Sequence, residues 1–434
     1  MVFLFYIYPN IYFLNVLPNS ANMNSPKNKS ILTAVMITSG CTIGAGMFSL
    51  PVVSSGMWLP FSVLCLLIVW YMNYLAAIYL LEVNIQFSPG ASFDTLVKKT
   101  LGNKWNLITG LAIVFLLYIL LYAYFSAFGS VVSNTLDWEV FKENKWSQSI
   151  LSLIFGGLLA VIVWLSTSFV GRISTILVFS MVVTFVISMS GLALNVEAVK
   201  LFNIGVQDSN YSQYVWAALP YYMTSFGFAS IVPSLYKYYG GKPQTIKKGL
   251  LYGSLIALVV YLLFLFVSFG NISRDAFIVI NQAGGNMGVM VNALKQNGTN
   301  KIINISLNIF SNFAVITSFL AVGLSLFDYI ADKFSFEDTR KGRLYSACIT
   351  FLPPGIASFF FPNGFVQAIG FAGLVMVFGF FLVPFLMVHK TRRLKSTAIY
   401  KVRGGNLLLY AFLLLSLLIV VFHIMAMMNY LPVW

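Results

Sequence analysis

Eleven apolar stretches, each close to the roughly twenty residues that an α-helix needs to cross a bilayer, fill most of this sequence. They run 31–54, 59–81, 106–133, 149–169, 173–194, 214–236, 250–269, 303–330, 344–361, 365–387 and 407–428. All are expected to be helices. A helix satisfies its own backbone donors and acceptors, and the long alternating pattern of a membrane barrel is absent. Of 434 residues, 59% are hydrophobic and 9% charged, and the mean hydropathy is +0.86. Soluble domains carry about 25% charged residues, so water-soluble enzymes are excluded and an integral membrane protein is implied.

The net charge of +14 does not point to nucleic acid. Lys and Arg fall in short clusters between apolar stretches, as at Lys98-Lys99, Lys247-Lys248, Arg340 to Arg343 and Arg392 to Lys395. Such clusters mark the cytoplasmic ends of membrane helices. With a cytoplasmic amino end, only Lys142, Lys145, Lys200, Arg274, Lys295 and Lys301 of the 26 basic residues fall outside, while the 12 acids divide evenly. A bias in the cations alone is what the positive-inside rule predicts, with the amino end inside and the carboxyl end outside. Residues 1–30 form an amino-terminal cytoplasmic segment, and translation is expected to start at Met23, before Asn24-Ser25-Pro26-Lys27. The alternative is an interfacial aromatic segment.

Cys41, Cys65 and Cys348 lie within apolar stretches without paired spacing, and His389 and His423 stand at or near helix ends. They suggest packing roles, with no metal site and no cofactor. A membrane-embedded enzyme would need paired acids, a histidine cluster or an activated nucleophile, and none is visible.

Two stretches look broken in mid-membrane. The first carries Gly40, Thr42, Ile43, Gly44, Ala45 and Gly46 and ends near Pro51; the sixth carries Pro220, then Thr224, Ser225, Phe226, Gly227 and Phe228, then Pro233. Each glycine costs a helix interior about 1 kcal/mol, and an interior proline removes a backbone hydrogen bond. Close packing of small residues is the competing explanation for the first. Matched breaks five stretches apart instead mark the binding site of a secondary transporter built from two inverted halves, here 31–195 and 214–390, with 404–434 as an eleventh helix. No Lys or Arg lies at mid-membrane depth, so freed amides would hold a carboxylate and freed carbonyls an ammonium group. A zwitterion suits such a site.

Thr42-Ile43-Gly44-Ala45-Gly46-Met47 with Leu50-Pro51, and Thr224-Ser225-Phe226-Gly227-Phe228 with Ile231-Val232-Pro233-Ser234-Leu235 and Lys237-Tyr238-Tyr239, resemble the bacterial aromatic amino acid permeases for tyrosine and tryptophan. Leu81-Glu82-Val83-Asn84 and the run Leu326 to Asp332 share the likeness, which extends over most of the chain after Met23. The resemblance implies a leucine-transporter fold of five plus five inverted helices with one extra span. It also implies proton-coupled import of tyrosine, tryptophan or phenylalanine across the bacterial inner membrane. Where several relatives carry a histidine in the sixth span, this chain has Ala229, so no proton role passes to that position.

Glu82 and Asp328, acids near span ends, are candidates for gating or coupling, against a plain interfacial ion pair. Tyr118, Tyr122 and Ser126 share a helix face, and Tyr122 is a candidate for the pocket, against a packing role. Thr317 and Ser318, with carbonyls of the first span, would make a sodium site, which keeps sodium coupling or a broader neutral amino acid carrier open. A channel is the other rival.

Overall fold

The computed structural model describes residues 30–136, 146–205, 210–296, 300–394 and 400–434. Met23, the acids and bases near residue 140 and Lys395 lie outside the described residues. The described residues are helical, without strands.

The first span is interrupted: α1 (Ile31–Thr42) and α2 (Ser49–Ser54) flank a 3-10 turn at Ala45–Phe48, and the two halves bend by 51°. Ser30 starts α1, its hydroxyl accepting from Leu32 N at 3.1 Å. There follow α3 (Trp58–Asn84), the short α4 (Phe93–Leu101), α5 (Asn103–Leu136), α6 (Ser147–Leu165), α7 (Thr167–Ala193) and the single turn α8 (Ala198–Leu201). The sixth span comprises α9 (Val215–Ser225), a 3-10 turn at Phe228–Ile231 and α10 (Val232–Tyr238). Beyond it lie α11 (Pro243–Asn271), the short α12 (Ala276–Gln282) and α13 (Met287–Gln296), α14 (Lys301–Lys333) and α15 (Arg340–Phe360). Helix α16 (Phe365–Val377) runs through a π-turn at Phe378–Leu382 into α17 (Val383–Leu394), and α18 (Gly405–Met427) follows.

Among the described residues, nine helices are long and apolar enough to cross a membrane, or ten with the bent α1–α2 pair. The stretch expected at 344–361 falls in α15, which is not among them. Arg340, Lys341 and Arg343 crowd its first turn and Pro353 and Pro354 its interior, so its apolarity is diluted although 21 residues span about 30 Å.

Contacts between spans come from small residues that let backbones approach. Helix α1 lies along α11, where a Cβ built on Gly253 would stand 2.5 Å from Thr38 Cβ and 2.6 Å from Val35 O. Helix α9 lies along α16, where a Cβ on Gly373 would meet Thr224 Oγ1 at 2.9 Å. Helix α14 packs on α5, α6, α7 and α15; α5 also takes α6, α15 and α16; α6 packs on α15; and α3 meets α9, α10 and α11. Gly253→Leu should force α1 from α11 at a cost of about 3 kcal/mol or more; the check is a large fall in melting temperature, or loss of the monodisperse peak, in detergent.

Candidate functional site at the two helix breaks

Helix α1 stops where glycine density makes continuation unfavourable. Gly44 is fully extended (φ −164°, ψ −165°), and Ala45 N donates to Ser318 Oγ on α14 at 3.2 Å rather than to its own helix. Met47 N reaches back to Gly44 O at 3.2 Å, while the Gly44 amide has no acceptor among the described residues. A Cβ placed on Gly40 or Gly46 would meet nothing within 4 Å, so the backbone there borders open space. At Gly44 it would come within 3.0 Å of Ser318 Oγ.

In the sixth span α9 ends at Ser225, Phe226 and Gly227 leave helical geometry, and Phe228 N bonds to Phe226 O at 2.7 Å. Thr224 Oγ1 donates to Ile369 O on α16 at 2.9 Å, whereas Ser225 Oγ is buried with no partner among the described residues. The two broken spans also touch directly: the Ser54 hydroxyl, at the end of α2, is hydrogen-bonded to that of Tyr222 on α9. Between the breaks stands Tyr261 of α11, whose hydroxyl lies 2.7 Å from both Thr42 O and Ser225 O, while its ring meets that of Phe226 edge-on at 5.1 Å.

The structure places Thr42, Ser225 and Phe226 around Tyr261, and Gly44 and Ala45 beside Ser318. Thr317 sits beside Ser318, its hydroxyl donating to Phe313 O at 2.8 Å and Ala314 O at 3.2 Å in its own helix. The α5 face turns to different partners: Tyr118 donates to Ile349 O and Tyr122 to Phe361 O, both at 2.8 Å, and Ser126 to Pro362 O. Ala229 is buried in the 3-10 turn of the sixth span.

Glu82 is fully buried at the end of α3 and forms a two-pronged ion pair with Arg392 of α17, Nε to Oε1 at 2.6 Å and Nη2 to Oε2 at 2.8 Å. Val402 N adds a bond to Oε2 at 2.8 Å, and Arg392 reaches Gly405 O at 2.8 Å at the start of α18. This interaction ties three helix ends together. Asp328 makes no ion pair within 4 Å among the described residues. Far along span one, Arg274 caps the carbonyl end of α2, donating to Ser55 O at 3.2 Å and Gly56 O at 2.7 Å beneath the ring of Trp434, 3.7 Å away.

Sequence reasoning missed Tyr261, Tyr222 and Arg274 and saw Arg392 only as part of a basic cluster. A tyrosine among 23, or an arginine in a run, carries no local sign of its long-range partner.

Apolar helices long enough to span a bilayer, two of their spans interrupted side by side, make this a multi-pass membrane protein with backbone polar groups gathered at its centre. Residues 27–423 match the tryptophan/tyrosine permease family, and the chain belongs to that family. It is 41% identical over 407 residues to a tryptophan-specific transport protein of Shigella flexneri, covering 93% of this chain and 97% of that one. It is 40% identical over 415 residues to a tryptophan-specific transport protein of Pseudomonas aeruginosa, covering 95% and 99%. A tyrosine permease of Enterobacter agglomerans is 39% identical over 385 residues, covering 87% and 92%. Family membership makes the chain a transporter rather than an enzyme.

Removing one partner of the Glu82–Arg392 pair strands a buried charge. Arg392→Gln should lower stability by about 3–5 kcal/mol, read as a drop in melting temperature that adding Glu82→Gln partly reverses.

Proposed function

We propose that this permease imports aromatic amino acids, tryptophan, tyrosine or phenylalanine, by proton symport across the bacterial inner membrane. The observation that carries the reading is the meeting of two half-helix ends beside open backbone at Gly40 and Gly46. Amides at the restart of the first span, Gly44 foremost, receive the carboxylate at the positive end of a helix dipole. The carbonyl ends of α1 and α9 attract the ammonium group, and the backbone beside open space at Gly40 and Gly46 leaves room for the ring, with Ala45 and Gly227 as further lining. The names of the Shigella, Pseudomonas and Enterobacter relatives support this substrate class.

The proposed architecture is eleven spans, α15 counting as the ninth, arranged as two five-span halves with α18 added. Exchanging spans one to five for six to ten maps several of the observed contacts onto observed contacts: α7 on α14 becomes α16 on α5, α1 on α11 becomes α9 and α10 on α3, and α5 on α6 becomes α14 on α15. Short helices follow the second span (α4) and the seventh (α12 and α13) alike. Five being odd, the halves are inverted, and transport proceeds by rocking one bundle against the other around the breaks. The amino end is cytoplasmic and the carboxyl end periplasmic, in keeping with the distribution of Lys and Arg. Glu82 and Asp328 stand as gating or coupling groups, Glu82 through release of Arg392. Tyr122 remains a candidate for the pocket, where its hydroxyl would first have to leave Phe361 O. Sodium coupling through Thr317 and Ser318 is the second reading, because Ser318 Oγ sits at the first break.

The test is uptake of labelled tryptophan into proteoliposomes. Saturable accumulation should be competed by tyrosine and phenylalanine, collapse with the pH gradient and persist when choline replaces sodium. Gly44→Leu should lose about a hundredfold in uptake per folded molecule, since the side chain fills the site and presses on Ser318 Oγ. Uptake that neither saturates nor follows a gradient would mean a channel.

A further inference from the structure

Thr42 O and Ser225 O are the last carbonyls of α1 and α9, the two helices that run up to the breaks, and they converge on a single oxygen atom. A helix carboxyl end carries about half a negative charge, so two such ends drawn together repel unless a positive group lies between them. In membrane carriers that group is commonly a bound cation held by unwound carbonyls. Here the position is filled from within the chain. The Tyr261 hydroxyl lies 2.7 Å from each carbonyl, its ring is 1% exposed, and it is braced against Phe226, the first residue past α9. The hydroxyl of Ser225, a residue 3% exposed, has no partner among the described residues, so this point of the protein holds a further polar group.

We propose that Tyr261 is the positioning residue of the transport site, its hydroxyl proton taking the place of a bound cation between the two breaks. One phenolic proton is shared between two carbonyls, and the lone pairs of the hydroxyl stay free to accept from a substrate ammonium group. The strut therefore fixes the spacing of the two half-helices and presents an acceptor to the ligand. The inference rests on the reading of the breaks as the transport site, but its structural half can be measured without transport.

Two variants test it, Tyr261→Phe, which removes the donor and keeps the ring, and Tyr261→Ser, which keeps an oxygen and opens space for an ion. Uptake per folded molecule is one measurement. The other is alkylation of Cys41, buried one residue before Thr42, in a Cys65→Ser, Cys348→Ser background. Tyr261→Phe should lower kcat for tryptophan about tenfold, the scale of one lost hydrogen bond, and speed alkylation of Cys41, in sodium and choline alike. In Tyr261→Ser, sodium or lithium should restore part of both uptake and Cys41 protection, a response that a merely structural tyrosine would not give. Wild-type behaviour of Tyr261→Phe in both measurements overturns the proposal, and so does indifference of Tyr261→Ser to every alkali cation. If the wild type takes up no aromatic amino acid while Tyr261→Phe still unmasks Cys41, the transport reading fails and the strut stands.

Discussion

Inside a bilayer every backbone N–H and C=O has to find a partner within the protein, and this one constraint shapes the rest of the molecule. Two of its spans give up internal hydrogen bonds at their breaks, and several of the freed groups are met by side chains from other helices: Ser318 takes Ala45 N, and Tyr261 takes the closing carbonyls of α1 and α9. The remaining spans serve as the frame that makes this possible. Gly249 and Gly253 seat α1 on α11, and Gly370 and Gly373 seat α9 on α16, so the interrupted segments are enclosed by continuous ones.

How much of this was legible in the sequence depended on whether the signal was local. The break in the first span announced itself through Gly40, Gly44, Gly46 and Pro51, and that in the sixth through Pro220 and Pro233, because helix cost is incurred residue by residue. Pairings across the fold left no such trace. Glu82 and its Arg392 partner are 310 positions apart, and Tyr261 is 219 from Thr42. Spacing by four correctly put Tyr118, Tyr122 and Ser126 on one face of α5, but it could not say what that face meets. Their hydroxyls all go to backbone carbonyls of α15 and the loop that follows it. Apolar runs located α15 as well, although its basic first turn and paired prolines make it the least oily of the long helices.

Two kinds of polar interaction therefore divide the interior between them. At the breaks the donors are neutral and few: the Ser318 and Tyr261 hydroxyls and the backbone amides. Glu82, by contrast, is held by a full opposite charge and by the Val402 amide, so that freeing it means parting three bonds at once in a buried place.

The enclosure of Arg274 by Trp434 bears on how the molecule is made. The carbonyl end of α2, fixed within the first sixty residues, is capped by an arginine from after α11, and that arginine is covered by the indole of residue 434. Insertion proceeds from the amino end, so the first span has to wait in the membrane with this end incomplete while nearly all the others are threaded. The contact can close only after residue 434 has been made, which puts it later in assembly than the threading of every helix from α1 to α18.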